Sequence, residues 1–371
     1  MQEQNLQDWL TLTFLPGIGC TLINRLLAEL GTPADVLTAR PGQLKNIDGV
    51  GQKLVLRLRD QAVLDKARDS AGRELQQLSR LNISVIALDD HRYPVFLKNI
   101  PDPPVLLYCK GNTAYLSRPG IALVGSRSAS TYGRRISFAL GRELAQNDIP
   151  VISGMALGID GEAHAGALAG KGPTIGVLGC GVDVVYPQQN RTLFREVAER
   201  GLLVSEYPLG TIPDAFRFPE RNRIISGLAL GVVVVEATMK SGSLITARLA
   251  LEQGREVFAV PGRIDSVKSQ GAHRLLQQGA KLVHGVDDIL EELHMPSIIT
   301  HTTVTENGAG QPGMSEDEQQ LLTCLDTYPL NIDELARLSG YDSAVLVDLL
   351  IRLELRGMVR QLPGQQYELC Q

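Results

Sequence analysis

Between Phe216 and Gly262 the chain sets cations beside aromatic rings and close to a helix start. Arg217, Arg221 and Arg223 stand with Phe216 and Phe218 just ahead of a helix-like run, and Asn222 separates the last two arginines. A wholly apolar strand, Gly231 to Val235, then ends at Glu236, and the turn Lys240-Ser241-Gly242-Ser243 opens the next helix. Guanidinium groups, ring faces and helix N-terminal N–H groups are the parts that hold a phosphate backbone and stack its bases. Two earlier strand-to-helix turns add to them. In Val124-Gly125-Ser126-Arg127-Ser128-Ala129-Ser130 the glycine and serines offer N–H groups to an anion that Arg127 also reaches. The turn from Ser153 through Gly154 to Asp160 has small residues at a strand end and an acid near the following helix start.

Each of these residues has a plainer reading. Turns between strand and helix are rich in Gly and Ser for geometric reasons alone. Arg221 could lock the fold through Glu220 or Glu236, and Phe218 could be plain core. Asp160 and His164, four apart, face one side of a helix as an acid/base pair or as a cap with packing, and the cap is the expected role. The remaining histidines form no ligand-spaced cluster, so no metal site is expected. No turn matches the dinucleotide or Walker pattern, and no cofactor is expected. What remains distinctive is three such turns in one sheet together with the Arg-Asn-Arg triplet.

The elements that must position these residues follow from patterning. Apolar runs at Ile83–Leu88, Ile121–Val124, Pro150–Ser153, Thr174–Leu178, Leu202–Ser205, Gly231–Val235, Glu256–Val260 and Lys281–Val283 are mostly separated by helical stretches. That alternation predicts a Rossmann-like, doubly wound parallel sheet over residues 83–294, with ligands beyond the strands' carboxyl ends. Residues 1–82 are predicted helical with an internal echo: Pro16-Gly17-Ile18-Gly19 and Asp48-Gly49-Val50-Gly51 each precede a helix. This resembles a tandem helix-hairpin-helix (SAM-like) unit, whose glycines either admit a DNA phosphate or simply permit a tight turn. Few cations stand at the hairpin tips, with only Lys53 close by. A polar linker is expected at 295–314, and a winged helix at 315–371. In the latter, Ser315 caps a helix, Ile332–Leu338 and Ser343–Arg356 form a helix-turn-helix, and a Pro363-Gly364 turn joins two wing strands.

The whole chain sets bounds. Its 371 residues are 44% hydrophobic and 21% charged, with formal net charge −5, so any polyanion must be held by a local patch. Five scattered cysteines without a CxxC pair predict a reducing compartment, and the absence of a signal peptide or membrane-length apolar run predicts a cytoplasmic protein.

GSR in the first turn, SGMALGID…AH in the second, RNRIISGL and KSGSLITARLALEQGREVFAVPG together resemble the DNA-processing protein A family (DprA, also called Smf). The resemblance extends over essentially the whole chain. It implies a non-catalytic single-stranded DNA binder that protects incoming DNA, loads the RecA recombinase in natural transformation and works as a homodimer, with its dimer contact near His273 to Leu282. It implies Arg127 as a backbone clamp and Gly154 as a point of close phosphate or sugar approach. Arg221 and Arg223 serve phosphates or guanidinium stacking, with Asn222 positioning; Arg217, beside that triplet, is a further expected DNA contact from the local cluster of cations and rings. Phe216 or, preferably, Phe218 stacks a base, and Lys240 with the Ser241, Gly242 and Ser243 amides takes a further phosphate. Four or five such cations predict a slope of log K against log salt of roughly −3 to −3.5. Little sequence specificity is expected.

The alternatives are a phosphoribohydrolase-like nucleotide enzyme and a protein scaffold. Hydrolases that resemble this sheet carry PGGxGTxxE, and at the position of its glutamate this chain has Arg248, which cannot act as a carboxylate. The tail from Glu316 onward has four Lys/Arg against ten Asp/Glu, and Asp342 and Asp348 sit on the would-be recognition helix. It is therefore expected to dock protein or to bind DNA weakly.

Overall fold

The computed structural model describes residues 3–296, 315–325, 329–362 and 364–369. The expected linker at 295–314 lies almost wholly outside them, as does Pro363 of the expected wing turn. The chain divides into two compact units, Met1–Ile299 and Thr300–Gln371.

The first unit begins with six helices: α1 (Glu3–Phe14), α2 (Cys20–Leu30), α3 (Pro33–Thr38), α4 (Pro41–Lys45), α5 (Gln52–Arg59) and α6 (Gln61–Leu81). The two hairpins exchange arginines. Arg57 of α5 reaches the first hairpin and donates to the Pro16 carbonyl, and its guanidinium occupies the space a side chain at Gly17 would need. Arg25 of α2 reaches the second, pairing with Asp48 at 2.8 Å beside Gly49. Both glycines have positive φ, 80° and 85°. They are used for a turn and for close side-chain approach, the plainer of the two readings, and the hairpin cations were read too sparingly from sequence.

The sheet follows: β1 (Ser84–Ala87), α7 (Val95–Lys98), β2 (Leu106–Gly111), β3 (Gly120–Gly125), α8 (Thr131–Gln146), β4 (Val151–Ser153), α9 (Ile159–Ala169), β5 (Thr174–Val177), α10 (Arg191–Arg200) and β6 (Leu202–Ser205). It continues with α11 (Arg217–Leu228), β7 (Ala229–Glu236), α12 (Ser243–Glu252), β8 (Glu256–Ala259), α13 (Gln270–Gln277), β9 (Lys281–Leu282) and α14 (Val286–Glu292). Strand order is β1-β2-β6-β5-β4-β3-β7-β8-β9. From β6 to β9 in strand order the pairings are parallel, and the apolar run of β3 and the Val-rich run of β7 are buried between helices, as continuously apolar strands require. The sheet is not wholly parallel, however. β2 is absent from the sequence reading, and it pairs antiparallel with both β1 and β6. The chain leaves β3 toward β4, β5 and β6, then returns to lay β7 on the other side of β3. This reversal opens a crevice at the carboxyl ends of β3 and β7.

Two seams fasten the helical region to the sheet. Asn24 of α2 donates to the Pro103 carbonyl at 2.9 Å, and Thr21 donates to Asp102. Glu74 of α6, itself buried, accepts the Leu209 N–H at 2.8 Å and so pins the loop between β6 and α11.

The second unit contains α15 (Glu316–Cys324), β10 (Leu330–Asn331), α16 (Ile332–Ser339), α17 (Ser343–Leu355), β11 (Val359–Leu362) and β12 (Gln366–Leu369). Ser315 and Asn331 cap α15 and α16 with reciprocal capping boxes, and Gly340 ends α16 at φ 73°. Leu321, Leu335, Leu346, Leu350 and Leu353 form its core. With strand order β10-β12-β11 this is a winged helix.

Candidate nucleic-acid interface

A cleft of about 590 Å³ lies at the crevice between β3 and β7. One wall is the turn after β3, with Gly125, Ser126, Arg127 and Ser128. The opposite wall is the turn into α12, with Thr238, Ser241, Gly242 and Ser243. The start of α11, with Phe218, Arg221 and Asn222, and the loop residues Pro213 to Ala215 complete it. The first and third turns singled out in the sequence therefore meet here. The second contributes Ala156 and Asp160. A smaller cavity of about 110 Å³ shares Arg127, Tyr186, Phe218 and Arg221 with it and extends over Leu157, Leu178 and Cys180.

The arginines of α11 do not stand ahead of the helix, as the sequence suggested; the helix starts at Arg217 itself. Their duties diverge because successive helical residues point about 100° apart. Arg221 is 4% exposed. It donates to the Gly154 carbonyl at 2.7 Å and to the Val177 carbonyl, bridging the ends of β4 and β5. Burial lowers its pKa, and the neighbouring Asp160 partly offsets that. Arg221 is thus a fold-locking residue rather than an exposed phosphate clamp, and it locks through carbonyls, not through Glu220 or Glu236. Glu220 accepts from Tyr207, and Glu236 accepts the Ser130 N–H at 2.8 Å and its hydroxyl at 2.7 Å at the α8 cap. Gly154 is corrected with it: the space beside that glycine is filled by the Arg221 guanidinium and is not open to a phosphate.

Arg223 points the other way. It pairs with Glu206 at 2.7 Å and with Asp102 at 3.4 Å, beside Cys20 of α2. Its side chain is only 13% exposed, so its charge is spent within the protein and the sequence expectation of a phosphate contact does not hold. Burial raises the Glu206 pKa, and Arg223 draws it part of the way back. The same network pushes the Cys20 thiol up to about 12, chiefly by burial, so it stays protonated.

Arg127 and Arg217 are the opposite case. Arg127 is exposed, and among the described residues it forms no salt bridge; its guanidinium carbon lies 5.3 Å from the centre of the Phe218 ring. Arg217 lies 5.2 Å from both the Tyr207 and the Phe216 rings and donates to the Ile212 carbonyl. Phe218 is half-buried and stacks on Tyr186 at 5.4 Å, with 26° between the ring planes. Tyr186 was missed in the sequence. The loop after β5 is longer than a tight turn and ends in Tyr186-Pro187 at the same sheet edge, which was the available signal. Hydroxyls complete the surface: Ser241 and Ser243 lie 2.8 Å apart, and Ser126 and Ser128 3.4 Å apart. Lys240 is exposed next to this wall but does not line the cleft. Gly125 packs its bare face on Ile159, which sets the turn against α9.

Asp160 and His164 are not a pair. Buried Asp160 accepts the Gly154 N–H at 3.2 Å, and its pKa is raised by burial and lowered in part by Arg221. His164 is buried against Thr174 at 2.7 Å. Thr174 gives its one proton to the Val151 carbonyl, so the His164 Nδ1 must be the donor. Burial lowers its pKa to about 3, which keeps it neutral. No cluster of three or more His, Cys, Asp or Glu side chains suited to a metal ion occurs among the described residues.

Comparison with known proteins places the chain. A family profile described as DNA recombination-mediator protein A matches residues 84–294, a DprA winged-helix profile matches 305–365, and a SAM-like helix-hairpin-helix tandem matches 10–63. Protein Smf of Escherichia coli is 40% identical over 82% of both chains, and Protein Smf of Synechocystis is 31% identical over 97% of this chain and 98% of its own. The crystal structure of DNA processing protein A from Streptococcus pneumoniae is 38% identical, with TM-score 0.59, over 74% of this chain and 98% of its own. The Helicobacter pylori protein, described for its single-stranded DNA binding mode, is 33% identical with TM-score 0.52, over 57% of this chain and 95% of its own.

Proposed function

We propose a function from one premise, that the chain belongs to the DNA recombination-mediator protein A (DprA/Smf) family. The protein binds single-stranded DNA in the β3–β7 cleft, without catalysis, and hands it to the RecA recombinase during natural transformation. The observation that carries this is the pairing of Arg127, which forms no salt bridge among the described residues, with the Phe218–Tyr186 ring stack at a sheet switch point. A backbone phosphate lies between Arg127 and the N–H and hydroxyl groups of Ser241 to Ser243, with Lys240 nearby. A base lies against Phe218. A duplex keeps its bases stacked inside and cannot use the rings, so the single strand is preferred. Arg127, Arg217 and Lys240 are the cations left for phosphates, which lowers the expected salt slope to about −2 per chain at about −0.7 per contact.

The absence of catalysis is supported by the commitment of the buried carboxylates in and near the cleft: Asp160, which lines it, serves a turn N–H, and Glu236, at the end of β7 and outside the lining, serves the cap of α8. Arg248 is exposed on α12, pairs with Glu252, and is not part of the cleft. A second copy docks at the far sheet edge, where β9 is a two-residue edge strand and Leu282 is partly exposed beside α13. The reading places the protein in the cytoplasm; no helix among the described residues is long and apolar enough to cross a membrane.

Fluorescence anisotropy of matched single-stranded and duplex oligonucleotides over a salt series tests this. A single-strand preference with a slope that falls by about 0.7 in Arg127→Ala is expected. Equal affinity for the two forms, or release of a base from nucleoside monophosphates, would overturn it.

A further inference from the structure

The winged helix carries a feature that the cleft does not explain. Helix α17 buries Leu346, Leu349, Leu350 and Leu353, yet Val347, Ile351 and Leu355 are also apolar and are 39%, 51% and 83% exposed. They are spaced i, i+4, i+8, so they form one stripe, and exposed Ala344 lies on the same face. Going round the helix, Glu354 borders the stripe on one side and Asp348 on the other. The helix that reads a groove in DNA-binding relatives of this fold presents cations. This one presents a hydrocarbon seam between two carboxylates.

We propose that this face of α17 docks an amphipathic helix of another protein, one with an apolar stripe flanked by Lys or Arg. Three observations select that occupant. Nucleic acid is disfavoured, because the region from residue 316 onward has four basic against ten acidic residues. One of the four, Arg352, is tied to Asp348 at 2.6 Å, and Arg356 is tied to buried Glu318 at 3.1 Å. A second copy is disfavoured by symmetry. An antiparallel self-pairing centred on Ile351 sets Asp348 of one copy against Glu354 of the other, acid on acid, twice. A basic amphipathic helix buries the stripe, sets its cations against Glu354, which accepts the Gln361 N–H, and competes with exposed Arg352 for Asp348. The proposal stands independently of the cleft.

The test uses the full chain against a display library of short helices with a fixed apolar stripe and randomised flanking positions, with Ile351→Ser for counter-selection. Enrichment of Lys and Arg flanks is expected, with selected peptides binding Ile351→Ser about tenfold more weakly. Leu355→Ser is the second variant. It is exposed at the end of the helix, so a fold-wide loss cannot account for its effect. Acidic or undirected flanks, or selected peptides that bind both variants as well as the parent, would refute the proposal. So would duplex DNA binding, or self-association by sedimentation, that disappears in Ile351→Ser; the first would make the face a DNA surface and the second a self-contact.

Discussion

Arg127 and Arg223 both belong to the first unit, and they do opposite work. Arg127 stands at the cleft, on an aromatic face, without a carboxylate partner among the described residues. Arg223 stands at the seam with the helical region, held by two carboxylates and beside the half-buried Cys20 thiol. Arg221, two residues from Arg223, belongs to neither class: it is buried, and carbonyl oxygens hold it. What separates the proposed binding arginine from the structural ones is the company each keeps. A guanidinium already matched by carboxylates or carbonyls has little left for a phosphate, and one resting on a ring keeps its charge available.

The largest expected effect breaks the comparison on the structural side. Arg221→Ala leaves the Gly154 and Val177 carbonyls without their donor and Asp160 without its countercharge, and should cost about 3–5 kcal/mol of stability. Thermal melting measures it; an unchanged melting temperature would return Arg221 to the list of binding residues. Arg223→Ala should cost somewhat less, and its cost should depend on pH. Without Arg223, burial holds the Glu206 carboxyl still further above its ordinary range. A carboxyl with a raised folded-state pKa favours the fold while protonated and loses that benefit as pH rises through the raised value. The deficit should therefore be smaller near pH 5 than near pH 8 by melting temperature, and a pH-independent deficit would mean the Glu206 pairing is unimportant.

The cleft side should respond in binding and not in melting. Phe218→Ala should lower single-strand affinity by about 1–3 kcal/mol through lost stacking. Arg127→Ala should lower it by less at moderate salt and reduce the salt slope by about 0.7, read by anisotropy across a salt series. Lys240→Ala should produce the smallest change, because Lys240 stands outside the cleft. If it exceeds Arg127→Ala, the strand runs along the outside of the α12 turn instead.

The sheet core was legible because β-branched runs between helices admit few other arrangements, and the Ser315 cap of α15 was legible because it has a specific backbone duty. β2 escaped because Leu106–Gly111 follows a Pro-rich stretch and has no crossover helix ahead of it. Among the site residues, the sequence put the turns at Gly125–Arg127 and Ser241–Ser243 at one edge of the sheet, but it gave no strand order, and the reversal that makes them neighbours came from the fold. The failures at Gly154, Arg221 and Arg223 share one cause. Three cations in seven residues read as a surface, but a helix turns them to three different environments, and the carbonyls and carboxylates that receive two of them come from far away in sequence. Tyr186 was hidden for the same reason: it meets Phe218 only through the fold.

The arginine exchange between the two N-terminal hairpins has a consequence for how this region can be divided. The motif occurs twice, and duplicated motifs invite the idea that each copy is a module. Here each hairpin is finished by a side chain from the other: Arg57 lies over Gly17, and Arg25 lies beside Gly49. Cut between the repeats, both halves would keep their helices and lose the group that covers their turn. The repeat is legible as a duplication, yet as a piece of matter it is indivisible, and any transplant of this region must carry both copies.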